Sequence, residues 1–268
     1  VRLLVTVKDA QGALVGSLEE SDFRVFDNGV EQQIAVFERQ TAKPLSIALL
    51  IDTSGSTRKE LKTELDSIRG FLKALVSEGN PEDAAALFEF NWRTTQHTPF
   101  TRNTRRLDAA LKQLKPEGGT SLYDAMYLAA GELSEREGRH VMVIVTDGAD
   151  TTSAKDFQAA LRAVQEADTV VYPVVIVPIK SDAGRSVRGE NALTTIAQQT
   201  GGRLFSPAPG AELSRSFVEI LRELRTQYLI GFYPKHPTPQ ENRFHRVEVR
   251  VKNASLRVST RAGYYDPQ

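Results

Sequence analysis

Leu45-Ser46-Ile47-Ala48-Leu49-Leu50-Ile51 leads directly into Asp52-Thr53-Ser54-Gly55-Ser56. The first seven residues are nearly all apolar, the texture of a strand buried on both faces of a parallel sheet. The polar cluster ends that strand. A helical pattern follows from Lys59, with Leu61, Leu65, Ile68, Leu72 and Leu75 spaced four, three, four and three apart. In open α/β sheets the carboxyl ends of the strands are where ligands bind. Asp52, Ser54 and Ser56 occupy alternate positions, so one carboxylate and two hydroxyls can turn inward together on a tight loop. All are hard oxygen donors of the kind magnesium takes.

Working outward, residues 84–90, 141–145 and 170–177 read as further buried strands. Helical patterns separate them at about 104–114, 122–133, 157–164, 193–197 and 213–228. Short strands are expected at 94–97 and 203–206, and residues 178–190 read as a polar loop. This alternation predicts an α/β domain over 44–228: a Rossmann-like, doubly wound, mostly parallel sheet with helices on both faces. The flanks differ. Residues 1–43 hold strand patterns and an Asn28-Gly29 pair, the signal of a type I′ hairpin, with a return strand over 31–39. In 229–268, Val247, Val249 and Val251 alternate with Arg246, Glu248, Arg250 and Lys252, as in a sheet with one wet face. The two flanks are expected to join as one small β-sheet or β-sandwich domain, since an inserted domain needs its ends close together.

Composition narrows the function. The 34 basic and 34 acidic side chains cancel, so nucleic-acid binding is not favoured, and the basic tail reads as the wet face of a sheet. No apolar run is long enough to span a membrane. Cysteine is absent, which removes disulfides and thiolate metal sites. The chain starts at Val1 without methionine, as a trimmed chain does, so the lack of a signal peptide says nothing about export.

Three polar clusters follow strands or precede helices: Asp52/Ser54/Ser56, Thr120 after Gly118-Gly119, and Asp147 within Thr146-Asp147-Gly148. The βα loops of a parallel sheet share one edge, so these groups are expected to converge. Two carboxylates and three hydroxyls suit a divalent ion, magnesium first, with manganese or calcium as alternatives. Taken singly, Asp52 with its serines, and Thr120, would also pass as helix caps, and Asp147 with Asp150 as turn residues.

Together these residues resemble the metal-ion-dependent adhesion site of von Willebrand factor type A domains: an Asp-x-Ser-x-Ser loop, a distant Thr and a distant Asp. Asp52, Ser54, Ser56, Thr120 and Asp147 match those positions in order. The resemblance implies that the ion's open position is filled by an Asp or Glu of a partner protein, with Asp150 in the second shell at most. Asp22-Phe23, Asp27-Asn28-Gly29, Gln33-Ile34, residues 228–234 and Gly263-Tyr264-Tyr265 resemble the flanks of a bacterial, often exported subgroup. That likeness implies an extracytoplasmic or secreted protein.

Trp92 and Arg93, after the second buried strand, and Lys180, Arg185 and Arg188, in the later loop, are candidates for a rim that meets the partner. Enzyme readings fare worse. Asp52-Thr53-Ser54 is similar to the Asp-Thr-Gly of aspartic proteases, but Ser54 stands where glycine is needed. Metal-assisted hydrolysis needs a base, and none of His97, His140, His236 and His245 adjoins a proposed ligand. The expectation is a recognition or adhesion module, not an enzyme. The alternative is an assembly module whose metal is structural.

Overall fold

A computed structural model describes residues 1–39, 43–176, 187–235 and 244–265. They divide into two compact units. One comprises Val1–Ala42, Gln198–Gly202 and Leu221–Gln268, the other Lys43–Ala197 and Arg203–Ile220. The division falls inside the last helix rather than at its end.

The first unit starts with β1 (Arg2–Lys8), a 3-10 turn (Glu20–Asp22), β2 (Phe23–Asp27), β3 (Val30–Gln32) and β4 (Ile34–Arg39). Asn28 and Gly29 both take positive φ, 48° and 82°, and close the β2–β3 hairpin as their sequence predicts. The single return strand expected over 31–39 is two strands. β3 pairs with β2, whereas β4, one residue later, joins a different sheet. A chain that changes sheet at Gln33 can give side chains to both layers of a sandwich.

The second unit is wound from β5 (Leu45–Asp52), a 3-10 turn (Gly55–Lys59), α1 (Leu61–Glu78), β6 (Ala84–Phe90), β7 (Thr94–Thr101), α2 (Thr104–Leu111), α3 (Leu122–Ser134), β8 (Arg139–Thr146), α4 (Phe157–Glu166), β9 (Thr169–Val175), α5 (Val187–Thr200) and α6 (Ala211–Thr226). Its strand order is β7-β6-β5-β8-β9, with all neighbours parallel except β7, which runs antiparallel at the edge. Every residue of β5 is buried, as expected of a central strand covered on both faces. Ala48 and Leu50 pack with α3, α4 and α5. The alternate residues Ile47, Leu49 and Ile51 are as fully buried and turn to the other face. On α1, Ser67 and Phe71 meet Ser214 and Phe217 of α6.

Three expectations change in this unit. The strand expected at 203–206 is a single bridge from Phe205 to Val174. Residues 187–190 belong to α5, not to a loop. The last helix stops at Thr226, and Tyr228 opens β10. The Tyr228 ring is wholly buried, and its hydroxyl donates to the Val15 carbonyl at 2.7 Å, a partner that only the flanking strands supply.

β10 (Tyr228–Phe232), β11 (Phe244–Val251), β12 (Arg257–Ser259) and β13 (Gly263–Tyr265) complete the first unit. Two four-stranded antiparallel sheets result, ordered β12-β1-β10-β4 and β13-β11-β2-β3. Leu3, Val5, Phe23, Val25, Ile230, Val247 and Val249, drawn from both sheets, share one core. Arg246, Glu248 and Arg250 alternate to the exposed face of β11, the wet face read from the sequence.

Candidate metal centre

The carboxyl ends of β5, β6 and β8 meet in a set of loops tied by backbone hydrogen bonds. Thr53 N donates to Phe90 O at 2.9 Å, Gly55 N to Gly118 O at 3.1 Å, and Glu117 N to Thr53 O at 2.7 Å. Ser121 N donates to Asn91 O at 2.6 Å, and Thr151 N to Thr120 O at 2.8 Å. Two glycines make this closeness feasible. Gly118 has φ +65°, and a Cβ there would lie 2.5 Å from Trp92 Cδ1; one on Gly119 would lie 2.6 Å from Thr152 Cγ2.

Within this frame, Asp52 is buried with both oxygens occupied. Oδ1 accepts from Ser54 N at 2.8 Å, closing a local turn, and Oδ2 accepts from the Thr146 hydroxyl at 2.6 Å. Ser54 stands at the N-cap position of the 3-10 turn, yet its side chain caps nothing. Its Oγ lies 3.0 Å from Ser56 Oγ, and Ser56 Oγ donates to Asp147 Oδ1 at 3.0 Å. A chain of hydroxyls thus links the loop after β5 to the loop after β8. Thr120 is buried through its neighbours, and among the described residues its hydroxyl has no protein partner. Thr53, between the inward residues, turns to the other side and donates to Glu89 at 2.8 Å.

The electrostatics are one-signed. Among the described residues, no Lys, Arg or His pairs with Asp52 or Asp147. Burial pushes the Asp52 carboxyl up to about 6, and the charge of Asp147 adds to the rise while the bonds from Thr146 and Ser54 oppose it. Burial raises Asp147 too, against its bond from Ser56.

A further carboxylate escaped the sequence reading. Glu64, on α1, is 2% exposed, and among the described residues its carboxyl has no hydrogen-bond partner. Burial first, then the charges of Asp147, Asp52 and Glu60, push it up to about 8. The apolar spacing of α1 marked the buried stripe, and Glu64 falls midway between Leu61 and Ile68 on it; that was the available signal.

Hard oxygen donors, buried negative charge and the absence of a protein cation are the chemistry a divalent metal fits. Among the described residues no three acidic or imidazole groups come together to hold an ion. A bound metal would therefore rest on hydroxyls and at most two carboxylates, the mixed set of Ser54, Ser56, Thr120, Asp147 and Asp52.

The remaining candidates scatter. Trp92 is half exposed and lies against Gly118, with the Arg93 guanidinium 5.2 Å from its ring centroid. It therefore belongs to the same loop set. Asp150 accepts from Tyr123 N at the start of α3 and from the Ser153 hydroxyl. Asp150 and Arg188 line a separate cavity of about 500 Å³ with Tyr123 and Phe157. Lys180, Arg185 and His236 lie outside the described residues. His97 is spent on Glu89, 2.7 Å away.

The comparisons agree with this architecture. The family model for the von Willebrand factor type A domain matches residues 47–149. The von Willebrand domain of the type V pili tip protein Mfa5 from Porphyromonas gingivalis is 14% identical, with TM-score 0.59 over 74% of this chain and 99% of that one. A von Willebrand factor type A protein from Catenulispora acidiphila is 14% identical, with TM-score 0.60 over 89% and 71%. BatB from Bacteroides thetaiotaomicron is 16% identical, with TM-score 0.54 over 67% and 98%. No curated protein sequence matches significantly. At these identities the likeness establishes the fold: the second unit is a von Willebrand factor type A fold, accompanied in this chain by antiparallel sheets.

Proposed function

We propose that this edge binds a divalent cation, magnesium by its donor chemistry, and uses it to capture an acidic side chain of a protein partner. The observation that carries the reading is the Ser54–Ser56–Asp147 chain beside Asp52, an array of oxygens that runs from buried Asp52 and Ser54 to exposed Ser56 and half-buried Asp147, with no protein cation against it among the described residues. Bound there, the ion supplies a Lewis-acidic position that can accept a carboxylate. Ser54, Ser56 and Thr120 would hold it directly. Asp52, whose oxygens are engaged by Ser54 N and Thr146, orients the loop and reaches the ion directly or through water. Asp147, which accepts from Ser56, would reach the ion directly or through water. Trp92 and Arg93 form the adjoining rim, an aromatic and a cation suited to an acidic segment.

The chain acts on this reading as a recognition or adhesion module without catalysis. The pilus-tip protein and the minor pilin from Streptococcus sanguinis among its structural neighbours support a place at the bacterial surface. Calorimetry with magnesium tests the site. Asp52→Ala is expected to lose about a hundredfold in affinity while circular dichroism stays unchanged. Equal affinity in the two proteins would end the proposal. A partner is expected to be retained in magnesium and released by EDTA, and Asp147→Ala to abolish that retention.

A further inference from the structure

Glu64 is a costly residue in its position. Only 2% of Glu64 is exposed, and a carboxyl so largely buried without a donor is disfavoured unless water or an ion meets it. It lies on the inward stripe of α1, one turn before Ser67, which meets Ser214 of α6. The charges its carboxyl feels are all acidic: Asp147 most strongly, then Asp52, then Glu60. The Leu61–Glu64–Ile68 spacing keeps it inside, while Leu65 beside it is only partly buried.

From this burial, this lack of a partner and this acidic company, we infer that Glu64 is a third carboxylate of the metal centre, accepting hydrogen bonds from water bound to the divalent cation. The inference rests on the reading of this edge as a cation site. Among the described residues no three acidic groups come close enough to share an ion, so Glu64 is assigned to the water around the cation and not to the cation itself. Magnesium keeps several of its waters in protein sites, and carboxylates that orient them raise affinity. Glu64 would hold that shell from the α1 side, opposite no other carboxylate on the helix that reaches inside.

Three proteins separate the outcomes: wild type, Glu64→Gln and Glu64→Leu, each titrated with magnesium chloride by calorimetry at pH 8.5 and melted in EDTA and in magnesium. The expected result is a loss of tenfold or more in magnesium affinity in both variants. The rise in Tm caused by magnesium should shrink with it, while the Tm in EDTA stays equal or increases. Wild-type affinity in either variant, or a lower Tm in EDTA with an unchanged magnesium response, would overturn the inference and leave Glu64 a core residue. No binding by wild type would overturn the site itself, and the inference with it.

Discussion

Two sites built around buried carboxyls in this chain are made in opposite ways. In the β unit, Asp27 is fully partnered: Oδ1 lies 3.0 Å from His245 Nδ1, Oδ2 accepts from the Tyr264 hydroxyl at 2.7 Å, and the His245 and Tyr264 rings stack at 4.7 Å. In the α/β unit, Asp52, Asp147 and Glu64 face hydroxyls, a backbone amide or one another, with no cation among the described residues. Both sites carry the cost of burial. The first offsets it within the fold and ties β2, β11 and β13 together. The second is left short of positive charge, as a site for an external ion would be.

The comparison breaks most visibly at Asp27. Asp27→Ala should strand His245 and Tyr264 and cost about 3 kcal/mol of stability, read by urea unfolding, with magnesium affinity unchanged. A change below about 1 kcal/mol would show that the trio is not structural.

Acidity sharpens the contrast. Asp52 rises from an ordinary 3.8 to about 6, and Glu64 from 4.5 to about 8, so both hold protons more tightly in the folded chain. Their contribution to stability is complete below the ordinary values and is lost as pH climbs through 6 and then 8. In EDTA, Tm should therefore fall by a few degrees between pH 6 and pH 8.5. Saturating magnesium should flatten or reverse that slope, because the ionised carboxyls then face a cation. Identical slopes with and without the ion would contradict the assignment.

Much of this was legible in the chain, for identifiable reasons. The buried run at 45–51 and the Asp52, Ser54 and Ser56 alternation fix a strand and its exit, and backbone period alone brings those groups inward. Asn28-Gly29 declares its turn because few other pairs tolerate positive φ twice. The split of 30–39 into strands of two sheets was not legible, since alternation looks the same in either layer. Neither was Tyr228, whose helical spacing is overridden by a tertiary hydrogen bond to Val15. Glu64 was missed because apolar periodicity counts only apolar residues, and a charged residue on a buried stripe reads as a gap. Thr146, the closest partner of Asp52, stands in the chain merely as the neighbour of Asp147; nothing in sequence spacing gives it the 2.6 Å contact.

The central claim is that separated loops supply oxygens to one cation. An anomalous difference map from crystals soaked in manganese tests it most directly. The account predicts one peak at roughly 2.2 Å from the Ser54 and Ser56 hydroxyl oxygens, with Thr120 and Asp147 in contact directly or across one water. A peak elsewhere, or an unbroken Ser54–Ser56–Asp147 chain with no peak beside it at saturating manganese, would contradict it.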